Sequence, residues 1–207
     1  MKTRTRTRSL TVACAAVALV AGTVVAAQAD AAAPAPPRCY GYYATVWGGN
    51  GPDVLNTGSA RDIAVGLGGN DAISSGGGND VVCGDAGNDR LYGGSGDDRI
   101  AGEGGLDFLR GNGGVDRLSG FGGNDTLRGD MGGDTMDGGD GHDFARDWGN
   151  DTLTGGAGRD TLRGSAGDDT FFARDGERDA IYAYAGYDRC YVDRLDVVFG
   201  CNYVQRG

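Results

Sequence analysis

From Gly48 to Tyr191 the chain can be cut into sixteen consecutive units of about nine residues, among them GDAGNDRLY, GGSGDDRIA and GNGGVDRLS. No other feature restricts the possible folds as much. The sixth position is aspartate in all sixteen: Asp53, Asp62, Asp71, Asp80, Asp89, Asp98, Asp107, Asp116, Asp125, Asp134, Asp143, Asp151, Asp160, Asp169, Asp179 and Asp188. The fourth is glycine in every unit but the second, where Ala60 stands. The eighth is almost always apolar, as at Leu55, Ile73, Val82, Leu91, Ile100, Leu109, Leu127, Met136, Leu153, Leu162 and Phe171. Self-similarity at a fixed short period marks a fold in which each repeat packs on its neighbours. A flexible glycine-rich linker has no reason to keep one apolar residue in phase. Glycine does not recur every third residue, so a collagen helix is excluded. With 42 glycines but only two tryptophans and six phenylalanines, a conventional packed core is out of reach as well.

The residue types at this spacing point to a hard cation. Calcium takes six to eight oxygen ligands from carboxylates and backbone carbonyls. Glycine allows positive φ, so that a turn can aim its carbonyls inward. One aspartate per turn supplies a charged oxygen, and the eighth residue points inward from a strand while its neighbours point out. One large apolar side chain per unit cannot by itself offset the entropy of ordering nine residues. Carboxylates stacked about 4.8 Å apart would also repel, by roughly 3.5 kcal/mol per pair at an effective dielectric near 20. A bound cation reverses that sign, so metal binding and folding are expected to be one event.

The tandem phrase matches GGxGxDxUx, with U a large apolar residue, and so resembles the RTX, or haemolysin-type, calcium-binding nonapeptide repeat. The likeness is strong over residues 48–172 and weak over 173–191. It implies an all-β fold, a parallel β-roll in which six residues form a calcium-holding turn and three a short strand. It also implies that each ion lies between turn n and turn n+2, on both sixth-position aspartates and loop carbonyls. The candidate ligands are then Asp71, Asp80, Asp89, Asp98, Asp107, Asp116, Asp125, Asp134, Asp143, Asp160 and Asp169. Asp53, Asp62 and Asp151 form a second group. Thr57 and Ala60 replace glycines near the first two, Pro52 precedes Asp53, and the loop of Asp151 is one residue short. Asp179 and Asp188 lack glycine at the first position and are read as structural.

The remainder divides into short pieces. Residues 1–29 read as a secretory signal, with Lys2, Arg4, Arg6 and Arg8 ahead of the apolar run Leu10 to Val25 and an Ala27-Gln28-Ala29 cleavage site. An Ala/Pro linker follows at 30–38, a first cap at 39–47 and a second at 192–207, the latter expected to be a closing strand pair. Loss of the four basic residues takes the net charge from −10 to −14. So acidic a chain is a poor match for nucleic acid or an anionic membrane, and the mature chain offers no membrane span. The four remaining cysteines, Cys39, Cys83, Cys190 and Cys201, suit an extracellular, secreted protein with two disulfides. They allow three pairings, and the eleven-residue separation of Cys190 and Cys201 favours that pair, which leaves Cys39 for Cys83. With the stretches PRCYGYYATVWGGNGPDVL and CYVDRLDVVFGCNYVQRG at its ends, the chain is similar to small secreted actinobacterial calcium-binding proteins.

No catalytic constellation is legible. The one histidine, His142, is read as a solvated loop residue, and repeats and caps together use up the chain. The expectation is therefore a non-enzymatic protein with Ca2+ as its ligand and a structural or adhesive role. An alternative rests on Arg110, Arg128, Arg146 and Arg163, which share the ninth position of alternate units. They would form a ladder on one sheet, a candidate anion-binding face for cell-surface polysaccharide. The competing expectation is a solvated face that offsets the acidic loops.

Overall fold

The computed structural model describes residues 35–207. The signal expected at 1–29 and the start of the linker lie outside them. The sequence alternates between two parallel sheets of nine and ten strands, each strand pairing with the strand two places along, so the chain winds through about nine flattened turns. The register is that of the repeat doubled. Leu91 faces Leu109, Leu109 faces Leu127, and on the other sheet Ile100 faces Leu118 and Leu118 faces Met136. Among the described residues there is no helix, and hence none long and apolar enough to cross a membrane.

The eighth-position side chains form one continuous file between the sheets. Leu55, Ile73, Val82, Leu91, Ile100, Leu109, Leu118, Leu127, Met136, Leu153, Leu162, Phe171 and Ile181 are all buried, and Val198 packs against the end of the row. The strands are longer than the three residues the resemblance implied. Most cover six, from the seventh position of one unit through the third of the next, as in Arg90–Ser95 and Phe108–Gly113. The reason is that the ladder does not stop at the ninth position. The fourth-position amide still donates to the third-position carbonyl one turn on, as from Gly87 to Gly104 at 2.9 Å. Along each strand the eighth and first positions point inward, and the first is glycine because the interior has no room there for a second side chain. A methyl on Gly84 would lie 2.9 Å from the Gly102 carbonyl and nearer still to the Asp89 carboxylate.

The two ends are built differently. Arg38–Cys39 and Tyr42–Tyr43 form a two-stranded antiparallel hairpin. Cys39 and Ala44 pack with Val65, Val81, Cys83 and Ala101 into a second small core on the outer face of the ten-stranded sheet. The Cys39–Cys83 disulfide, with α-carbons 5.8 Å apart, ties the hairpin there. At the other end Val197–Phe199 joins the nine-stranded sheet and Tyr203–Arg206 the ten-stranded one, each in parallel. These two strands do not pair with one another as a closing pair would; they continue the winding. Cys190 is bonded to Cys201 across this last turn.

Candidate metal centres

Every sixth-position aspartate stands at the bend that leads into a strand, and each is used in the same way. Its backbone N–H donates to Oδ1 of the aspartate one full turn later. The series runs Asp53 to Asp71, Asp71 to Asp89, Asp89 to Asp107, Asp107 to Asp125, Asp125 to Asp143, Asp143 to Asp160 and Asp160 to Asp179, at 2.7–2.8 Å. A parallel series on the other edge runs from Asp62 through Asp80, Asp98, Asp116, Asp134, Asp151 and Asp169 to Asp188, at 2.7–3.0 Å. Aspartate is required because only a short carboxylate both reaches the next amide and leaves a second oxygen free.

That second oxygen is the chemically telling atom. Oδ2 is buried without a hydrogen-bond partner in Asp71, Asp80, Asp89, Asp98, Asp107, Asp116, Asp125, Asp134, Asp143, Asp151, Asp160, Asp179 and Asp188. A buried carboxylate oxygen with no donor is costly unless a cation or proton meets it. What lies beside it is glycine backbone: a methyl on Gly66 would meet the Asp71 carboxylate and the Gly84 carbonyl within 2.6 Å, and the arrangement recurs at Gly102, Gly120 and Gly138. Carboxylate and carbonyl oxygens around a cradle that no Cβ may enter are the donor set of a hard cation, so the residues fit calcium.

The electrostatics agree. Burial pushes the carboxyls of Asp98 and Asp169 up to about 6, and those of Asp107, Asp116, Asp143, Asp151 and Asp179 up to about 7. The backbone N–H bond holds each back, and neighbouring aspartates add to the rise. Asp71, Asp80, Asp89, Asp125, Asp134 and Asp160 move the same way, again chiefly through burial.

The second group of candidates separates. Asp151 is buried in line with its ladder despite its short loop. Asp53 and Asp62 are only half-buried and are already engaged. Asp53 Oδ2 accepts from the Gly49 N–H at 2.6 Å, and Asp62 Oδ1 from the Thr45 hydroxyl at 3.1 Å. Asp169 is buried, and its Oδ1 accepts from Asp151.

Asp179 and Asp188, read from the sequence as structural, stand in the same rows with the same unpartnered Oδ2, and two residues of the second cap continue the rows. The Asp179 N–H donates to Asp196 at 3.0 Å, and the Asp188 N–H to Asn202 Oδ1 at 2.8 Å. The signal for them was present, since Asp196 precedes Val198, and Asn202 precedes Val204, by the same two residues as in the repeat. Asp147 lies outside the rows but is buried within the coil, where its own burial and the charges of Asp151 and Asp134 push its carboxyl up to about 9. Nothing in the nine-residue phrase points to it. A second, outer ladder runs through the fifth positions, where Asn70, Asn79, Asn88, Asn124 and Asn150 each accept from the amide one turn on. His142 takes an asparagine's part there, its Nδ1 accepting from the Arg159 N–H at 2.8 Å.

The arginine ladder is real in register: Arg110 faces Arg128, Arg128 faces Arg146, and Arg146 faces Arg163. Its lower half carries its own counter-charge. Asp130 is bonded by the Arg110 Nε and lies 3.9 Å from Arg128. Arg163 sits 5.2 Å from the ring centres of both Phe144 and Tyr182.

Periodic aspartate rows in a two-sheet coil define a calcium-binding β-solenoid. Comparison with protein families gives the same class: the model of the RTX calcium-binding nonapeptide repeat matches in four copies, over residues 47–82, 84–109, 110–145 and 147–177. The chain belongs to this family, a calcium-binding rather than a catalytic type of repeat. Comparison with curated proteins and with solved structures gave no match.

Proposed function

We propose that the protein is an exported calcium-binding β-roll whose folding is driven by the ion, with a structural or adhesive role outside the cell. The observation that carries this is the row of thirteen buried sixth-position carboxylates, each with one oxygen lacking a donor. Asp71, Asp80, Asp89, Asp98, Asp107, Asp116, Asp125, Asp134, Asp143, Asp151 and Asp160 would hold the ions together with the glycine carbonyls beside them, and Asp169 would join them as the next turn of its ladder. Calcium would supply the positive charge that the stacked carboxylates lack. The aspartates' part is to turn one oxygen toward it while the other secures the next turn. Asp53 and Asp62, bonded elsewhere and less buried, would close the first turns without binding tightly. Export follows from the signal-like first 29 residues and accords with the two disulfides.

The test is far-UV circular dichroism of the chain titrated with calcium and reversed with a chelator. A cooperative gain of β signal that the chelator abolishes is the expected result. A β signal indifferent to both would refute calcium-driven folding.

A second reading concerns the upper arginine face. Arg146 and Arg163 meet no carboxylate among the described residues, and with Ser165 and Tyr184 they line an open groove of about 350 Å³. An acidic surface glycan would fit charge of that sign beside aromatic rings. If Arg146 and Arg163 are both changed to Gln, calcium-dependent retention on an acidic glycan matrix should fall; retention that stays the same excludes this reading.

A further inference from the structure

The twelfth unit, DWGNDTLT, has lost one residue, and the coil shows which. Gly149 pairs with Gly132 and Trp148 with Met131, while Asp147 pairs with Gly164, the first residue of its unit. The second position is therefore missing, and an aspartate occupies the inward-pointing first position that glycine holds in neighbouring turns. Its carboxylate enters the space beside Gly129, where the carboxylates of Asp147 and Asp134 both converge on the bare α-carbon. Asp147 is 1% exposed. Its Oδ1 accepts from the Trp148 N–H at 2.7 Å, and its Oδ2 has no partner. Carboxylate oxygens of Asp134, Asp147 and Asp151 lie within 4.8 Å of one another. Among the described residues this is the one such convergence of three acidic groups.

We infer that the hard-cation site shared by Asp134 and Asp151 is the tightest in the coil, because Asp147 adds to it a third carboxylate ligand that the repeat itself does not provide. The inference rests on the reading of the aspartate rows as calcium sites. An ordinary turn offers two aspartates and neutral carbonyls. Here the donor charge is −3 around one point, and ligand charge count is a main determinant of affinity at oxygen sites. The three unpartnered oxygens are held in place by the backbone: Asp151 by the Asp134 amide, Asp134 by the Asp116 amide and Asp147 by Trp148. The extra charge favours trivalent over divalent ions of similar radius more strongly than it does elsewhere in the coil.

Trp148, next to Asp147 in the chain, makes this measurable, because an indole near bound terbium sensitises its emission. The purified full chain is titrated with Tb3+ under indole excitation, alongside W148F, Asp147→Asn, Asp147→Gly and Glu103→Gln. Glu103 is an exposed carboxylate outside the aspartate rows. Emission that depends on Trp148 should saturate with the first equivalent and be displaced only by excess calcium. Asp147→Asn and Asp147→Gly should weaken that first site about tenfold or more, and Glu103→Gln should leave it within about twofold. Circular dichroism at saturating calcium checks that each variant is folded. First-site affinity that is unchanged or raised in the Asp147 variants overturns the inference, since Asp147 would then fill the space rather than bind the ion. Should no variant bind either metal, the broader calcium reading fails with it, which the dichroism titration detects independently.

Discussion

At the scale of single residues, the repeat is a set of backbone requirements met by particular side chains. The fourth position is held at φ values such as +138° at Gly87, against the Gly69 carbonyl, a conformation and a closeness that only glycine tolerates. Gly87→Ala should therefore cost about 3 kcal/mol or more in a calcium-saturated unfolding curve. Gly176→Ala, at φ +89° with open space around it, should cost only about 1 kcal/mol. The second position also has positive φ, yet carries Leu67, Asp85, Glu103, Asn112, Phe121 and Asp130. Restoring the repeat's glycine at exposed Glu103 should raise stability by up to about 1 kcal/mol by the same measurement. The carboxyls set a pH dependence. In the folded, metal-free coil they bind protons up to about pH 7, whereas an unfolded aspartate loses its proton near 3.9. The stability they contribute is full below the unfolded value and is lost as pH rises through 6 to 7. The metal-free chain should gain β signal between pH 8 and pH 4.5, and the calcium midpoint should rise over the same range as protons compete.

At the scale of elements, strands of six residues carry only two inward positions, and one of these is glycine. The core is thus a single file, and its loss at one point cannot be taken up by neighbours on a second layer. Leu118→Ala should cost about 2–5 kcal/mol, read from calcium-saturated thermal unfolding, because Leu118 is almost fully buried between Ile100 and Met136. The disulfides act on very different loops, of 44 residues for Cys39–Cys83 and 11 for Cys190–Cys201. Chain entropy gives about 4 kcal/mol for the first and about 3 kcal/mol for the second. Cys39→Ser with Cys83→Ser should accordingly destabilise more than Cys190→Ser with Cys201→Ser. It should also free the hairpin from the sheet, seen as faster amide exchange at Val65 and Val81.

At the scale of the whole molecule, stability is close to a sum over turns and their nearest-neighbour interfaces. Two features make those interfaces cooperative: each aspartate's amide grips the carboxylate of the following turn, and an ion between turns would serve both. Much of this was legible in the chain. Nine residues per unit and the inward eighth position follow from the spacing, and the resemblance to the nonapeptide repeat implies alternate units on one face and with them the arginine register. Other features were not. Asp130 neutralises Arg110 and Arg128 because it leaves the second position toward the sheet face, a direction that only the left-handed backbone there produces. His142 joins the asparagine ladder because its Nδ1 falls where an amide oxygen would, which is a matter of shape and not of residue class.

The sequence alone determined what repetition can encode: a period, one inward apolar residue, one aspartate and the glycines that let the chain turn. Those are local demands, and every unit states them again. Only the tertiary structure decided what happens where the phrase fails. A one-residue deletion near Trp148 could have broken the coil, unpaired a strand or moved a side chain. The neighbouring turns hold Gly149 and Arg146 in register, so the deletion falls on the second position and Asp147 is swung inside. Asp196 and Asn202 likewise join their ladders because a finished turn offers an unpaired amide to whatever acceptor comes next. The physical reason is common to both cases. Hydrogen bonds between turns, 14 to 19 residues apart along the ladders, fix where a side chain points, and no window of nine residues contains them.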